Sequence, residues 1–174
     1  MTLIGIAGDA LLLTLAAVAA AWDIRERRIP NALSLGALAV ALFAAVLDGG
    51  WPALVHAAEG AAVFGGPLVL FWAFGWLGAG DAKLGFALGA FLGMPLALTG
   101  LVYGALAGGV FGLLYVAWSL ARRAPALVGA FRRYGTLAHI TVGADPAWSA
   151  SMPYGVFLSV GAVAARALVL AAGR

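Results

Sequence analysis

The chain has 174 residues, of which 64% are hydrophobic and 10% charged, against about 45–50% and about 25% in a soluble domain. With a mean hydropathy of +1.05 this is the composition of an integral membrane protein, and at about 20 residues per span the length accommodates roughly six spans, with no extramembrane domain expected. The net charge of +3 does not indicate nucleic acid, because most arginines gather in two clusters between apolar segments, as topology signals do; the lack of cysteine excludes disulfides, thiolate nucleophiles and cysteine-bound zinc.

Segment 1 runs from about Leu3 to Trp22. It ends in Ala19-Ala20-Ala21 like a signal peptide, but no Lys or Arg precedes that run, so it reads as a retained span. Asp23 follows, then Arg25, Arg27 and Arg28, then Ile29-Pro30-Asn31. Segment 2 covers about Ala32 to Leu47 and ends at the turn residues Asp48-Gly49-Gly50. Segment 3 covers about Ala53 to Trp76 and carries His56 and Glu59 near its outer end. Two such residues without further ligands make a poor metal site, so neither a metal nor another cofactor is expected.

Gly78-Ala79-Gly80-Asp81 opens segment 4, which reaches Gly93. Gly93-Met94-Pro95 divides the long uncharged stretch, since proline suits the first turn of a new helix and disfavours a helical residue before it. Segment 5 then runs from about Leu96 to Leu120. The loop after it holds Arg122, Arg123, Arg132 and Arg133, a stretch from Leu127 to Ile140 that reads as an amphipathic surface element, and the loop residues His139 and Asp145. Segment 6 spans about Pro153 to Ala172. The predicted fold is all-α, a bundle of six transmembrane helices forming one domain over residues 1–174. Gly85 with Gly89, and Gly104 with Gly108, offer faces for close helix packing.

Both arginine clusters should be cytoplasmic. Six alternating spans satisfy this, with the 3–4 loop also cytoplasmic and both termini outside. Trp22, Trp51, Trp76 and Trp118 then fall near interfaces. Asp23 and Asp81 come to the same face although 58 positions separate them. Segment 4 is about 20 Å long, shorter than the roughly 30 Å hydrocarbon core, and so holds Asp81 recessed. Asp9 and Arg166 each lie 13 positions from a cytoplasmic segment end, at similar depth, and an ion pair between them is expected.

A carboxylate near hydrocarbon is costly and marks a functional site by default. Glycines before Asp81 let backbone approach closely. The helix start favours a charged Asp81 and burial a neutral one. Two close carboxylates resist double ionisation, so a pair is expected to share one proton, as acid–base attack of water on a peptide bond requires. Taken singly, Asp81 also reads as a helix N-cap, and Asp23 as a loop acid paired with Arg25 or Arg27.

Asp23 with Ile29-Pro30-Asn31, then Gly78-Ala79-Gly80-Asp81-Ala82-Lys83-Leu84, then Met152-Pro153-Tyr154-Gly155 form an ordered set. In this the chain resembles the prepilin peptidases, membrane aspartyl proteases with a glycine-x-glycine-aspartate motif. More narrowly it is similar to the short peptidases of tight-adherence (Flp-type) pilus systems. The resemblance implies that Asp23 and Asp81 are the catalytic pair. It further implies that Pro30, Gly78, Gly80, Lys83, Pro153, Tyr154 and Gly155 contribute to the substrate cleft. Lys83 would tune Asp81 or meet an acid on the substrate, unless it merely snorkels. The implied partners are membrane lipid and a prepilin or pseudopilin with a basic leader and an apolar helix, cut at the cytoplasmic face of the bacterial inner membrane. Larger relatives carry a cysteine-containing methyltransferase domain; none is expected here. The competing reading is a non-enzymatic pilus-assembly or transport membrane protein.

The topology has a direct test in this cysteine-free chain. Single cysteines replacing Asp48 or Ala126 are expected to react with an impermeant reagent on intact cells at position 48 only. Labelling at 126 but not 48 would invert the orientation.

Overall fold

The computed structural model describes residues 3–26, 29–134 and 154–172. Five helices occupy them: α1 (Leu3–Glu26), α2 (Asn31–Ala73), α3 (Ala79–Leu92), α4 (Leu96–Tyr134) and α5 (Tyr154–Ala171). Within these, Ile6–Glu26, Asn31–Ala73, Leu96–Arg122 and Tyr154–Ala171 are long and apolar enough to cross a membrane. The all-α class holds; the described residues form five helices, and the expected count of six is not confirmed. His139, Asp145, Pro153 and residues 135–140 of the expected surface element lie outside the described residues.

The difference in count lies in α2. A continuous helix of 43 residues would be about 65 Å long, twice the hydrocarbon thickness. The backbone instead leaves helical geometry at Gly49 (φ −147°, ψ 17°) and Gly50 (φ 64°, ψ −145°). The latter is a conformation that only glycine takes readily. Pro52 then sits in the first turn of the second stretch, where its missing N–H costs nothing. Residues 31–48 and 51–73 thus correspond to the two segments expected on either side of the Asp48-Gly49-Gly50 turn. A second difference is at α4, which runs to Tyr134, so the basic stretch after Leu120 continues the helix rather than opening a loop. Alanine, leucine and arginine there are strong helix formers, and Pro125 does not end the helix.

The described chain falls into two compact units. Gly108–Met152 is one, in which the Arg122 guanidinium lies 4.2 Å over the Trp118 ring and Tyr115 packs on the same ring. The other, Met1–Ala107 with Pro153–Arg174, holds the core and every candidate residue discussed below. Here α3 packs chiefly on α2, and α1 chiefly on α5. Phe64, Leu12, Leu84 and Leu88 are fully buried at the centre.

Glycine makes these contacts close. Gly85 and Gly89 of α3 face Gly60, Phe64 and Gly65 of α2, as their spacing predicts. On α4, Gly100 and Gly104 receive Gly161 of α5.

A Cβ on Gly60 would stand 2.7 Å from Cα of Gly93, whereas one on Gly66 meets nothing within 4 Å. Gly60→Ala is therefore expected to destabilise the bundle by about 1–3 kcal/mol, and Gly66→Ala to lie within about 0.5 kcal/mol of wild type or above it. Thermal unfolding in detergent compares the two.

Candidate active site

Four helix ends build the site. At the first, Asp23 lies in the last turn and a half of α1, not in a loop, and is only 5% exposed. Facing inward on this helix end, it is the one buried carboxylate among the described residues.

The second end is the start of α2. Pro30 is its N-cap, in extended conformation (φ −60°, ψ 135°), and its carbonyl accepts from the N–H groups of Leu33 and Ser34. Ile29, just before it, is buried.

The third end is prepared by the turn leaving α2. Trp76 N–H donates to Phe71 O, and Gly75 N–H to Trp72 O, both at 2.9 Å. Gly75 has φ +75°. This is a Schellman ending, with left-handed glycine just past the helix and an apolar contact sealing it. That contact is the stacked pair Phe71–Trp76, with ring centroids 5.9 Å apart. The turn delivers Gly78 as N-cap of α3, so Asp81 sits three residues inside the helix and is not itself the cap. Its N–H donates to Gly78 O at 3.1 Å, and its carboxylate takes a backbone hydrogen bond back from Gly78. This is the acid half of a capping box, with glycine in place of serine or threonine. A side chain on Gly78 would start 2.9 Å from Asp81 Oδ2.

The fourth end is the start of α5. A Cβ on Gly155 would lie 3.0 Å from Asp23 Oδ2 and 2.9 Å from Ile29 Cδ1. Tyr154, half-buried beside it, lies within electrostatic reach of Asp81.

Cross-contacts draw these ends together. Gly80 packs on the backbone of Ile29, where an added Cβ would be 3.1 Å from the carbonyl oxygen. Lys83 Nζ donates to Asn31 Oδ1 at 2.8 Å. Asp23 and Asp81 lie within electrostatic reach of each other. The structure therefore gathers Asp23, Pro30, Gly78, Gly80, Asp81, Lys83, Tyr154 and Gly155 at one end of the unit; Pro153 lies outside the described residues. His56 and Glu59, exposed and 4.0 Å apart, belong with Gly93 at the far end of α3. Sequence reasoning overlooked Asn31 as the partner of Lys83 and Ile29 as the seat of Gly80. Nothing local marks either contact, since both depend on how α3 lies against the start of α2.

Two neighbouring carboxylates, one buried and one on a helix's first turn, can divide the tasks of general base and general acid. The profile of the type IV leader peptidase family matches residues 10–113, more than half of the chain and including both strings that carry these acids. No curated protein and no solved structure matches.

Gly155 and Gly80 leave no room for branched side chains. Gly155→Val and Gly80→Val are each expected to lower turnover of a cleaved substrate by at least about tenfold with both carboxylates intact, as misplacement by about 1 Å does. Gly36→Val, at an open position, should leave turnover unchanged.

Proposed function

This chain belongs to the type IV leader peptidase family and is an enzyme of the aspartic leader-peptidase kind, and we propose that Asp23 and Asp81 are its catalytic pair. The observation that carries this reading is the meeting of two acids from distant sequence at the joined ends of α1, α2, α3 and α5. One carboxylate, ionised, takes a proton from the attacking water. The other, protonated, donates to the scissile carbonyl oxygen. The tetrahedral gem-diol then breaks its C–N bond: the departing amine receives the proton first taken from water, and one hydroxyl proton returns to the carboxylate that had donated, restoring the pair.

The remaining candidates have supporting roles in this reading. The first N–H groups of a helix have no intrahelical partner, and those of α3 lie next to Asp81. We assign the N–H groups of Ala79 and Gly80, outside the reciprocal Gly78–Asp81 bonds, to an extended substrate strand for which Gly78 and Gly80 leave room, because a helical peptide bond is shielded from attack. Pro30, Pro153 and Tyr154 frame the cleft, and Gly155 lets α5 approach Asp23. Lys83 acts through Asn31, tying α3 to the start of α2.

The substrate class is a prepilin or pseudopilin of the Flp type, with a basic leader in the cytoplasm and an apolar helix in the membrane. Residues 1–174 work as one peptidase domain, without methyltransferase activity. Six helical stretches enter the bacterial inner membrane: α1, both stretches of α2, α3, α4 and α5, with both termini periplasmic. The 14 residues of α3 reach about 21 Å, short of the roughly 30 Å core, which keeps Asp81 recessed from the cytoplasmic face. The arginine clusters would repel a basic leader, so they set topology and contact anionic lipid.

Co-expression with a candidate prepilin, read as a size shift, tests this. Asp23→Asn and Asp81→Asn are each expected to cut turnover by at least about 10²-fold, the lower range for a lost acid or base, with normal amounts in the membrane. EDTA should leave wild-type cleavage unchanged. Wild-type turnover in either variant, or EDTA inhibition reversed by zinc, would overturn the mechanism.

A further inference from the structure

Asp9 and Arg166 form a two-point ion pair across 157 residues of sequence. Arg166 Nε donates to Asp9 Oδ1, and Nη2 donates to Oδ2 at 2.9 Å. Both side chains are mostly buried, at 18% and 26% exposed. Both lie within helices that are long and apolar enough to span a membrane, where ionised groups are costly and kept for a purpose.

The placement suggests the purpose. Asp9 is 14 residues before Asp23 on α1, and Arg166 is 11 residues after Gly155 on α5. At 1.5 Å per residue these are about 21 Å and about 17 Å along the two helices. The α1–α5 interface is thus pinned twice: by the ion pair at one end and by Gly155 against Asp23 at the other. Between the pins, Leu15, Ala19, Leu158 and Ala162 are buried in one hydrophobic cluster. Apolar burial is non-directional and by itself fixes register less sharply. A forked guanidinium on a carboxylate fixes it more sharply, because both bonds fail together when either helix slides or turns. One residue of slip would move Asp23 about 1.5 Å and turn it about 100° away from Asp81. For stability alone, an apolar pair often serves as well as a buried ion pair, whereas setting register is the best-attested use of such groups.

We propose that Asp9 and Arg166 are remote positioning residues, fixing α1 against α5 so that Asp23 faces Asp81. The inference rests on the reading of Asp23 as catalytic. It concerns how Asp23 is held, not whether it reacts.

The experiment measures kcat and KM for a prepilin on membranes carrying Asp9→Asn, Arg166→Met and the exchanged pair Asp9→Arg with Arg166→Asp, each corrected for enzyme amount. Asp23→Asn runs beside them. The single variants are expected to lose kcat by about 10- to 100-fold, the cost of a misplacement near 1 Å, with KM within about twofold. The exchanged pair should regain most of the loss. If the single variants keep wild-type kcat per enzyme and lose only protein, the pair is structural and the proposal fails. An exchanged pair no better than the singles overturns it as well. Cleavage by Asp23→Asn would instead sink the catalytic reading itself, so the two failures are distinct.

Discussion

Two carboxylates must be kept close together inside an apolar bundle, and that requirement organises the structure around them. A single acid in hydrocarbon would be driven to neutrality or out to water. Two acids with backbone donors and a polar end nearby can stay, and can share charge. The four helix ends that meet here meet that condition. Helix starts supply N–H groups, and glycine lets backbone reach the acids: Gly78 bonds to Asp81, and Gly155 lies against Asp23. Lys83 bonded to Asn31 ties the two ends that flank the site.

The position of Asp81 follows from how α3 is bounded. The 14-residue α3 is bounded by Gly78 on one side and Gly93, at φ +63°, on the other. The turn before it is closed by the Phe71–Trp76 stack, and its far end is seated on His56 through Gly93. With both ends held, α3 has little freedom to slide, and Asp81 on its first turn inherits that constraint. Asp23 sits on a longer helix with fewer neighbours; α1 leans mainly on α5.

Much of this was legible in the sequence. Asp23 and Asp81 stood out because acids are rare and costly in such a chain, and alternation of spans put them on one face. The Asp9–Arg166 pair could be read from depth alone, since two opposite charges at one level in an apolar bundle have few other partners. The turn at Gly49-Gly50 and the break at Gly93-Met94-Pro95 were visible as chain punctuation. Tertiary detail was not. Nothing in Tyr154-Gly155 shows that Gly155 lies against Asp23. Lys83 reads as tuning Asp81, meeting a substrate acid or snorkelling, because its hydrogen-bond partner Asn31 is 52 positions away. The seat of Gly161 on Gly100 and Gly104 depends on where α5 lies, which glycine spacing does not show. The cap of α3 fell on Gly78 rather than Asp81, because the preceding turn sets where the helix begins.

The claim most exposed to test is that the end of α1 and the start of α3 form one site in the membrane. The cysteine-free chain allows a direct measurement: the double variant Asp23→Cys, Asp81→Cys, treated in native membranes with a short thiol-specific cross-linker and cut in the intervening sequence. The account predicts efficient linkage that holds the two fragments together, and none when Asp23→Cys is paired with Phe91→Cys at the far end of α3. Fragments that separate in the first variant, under conditions where both thiols are shown to react, would contradict it.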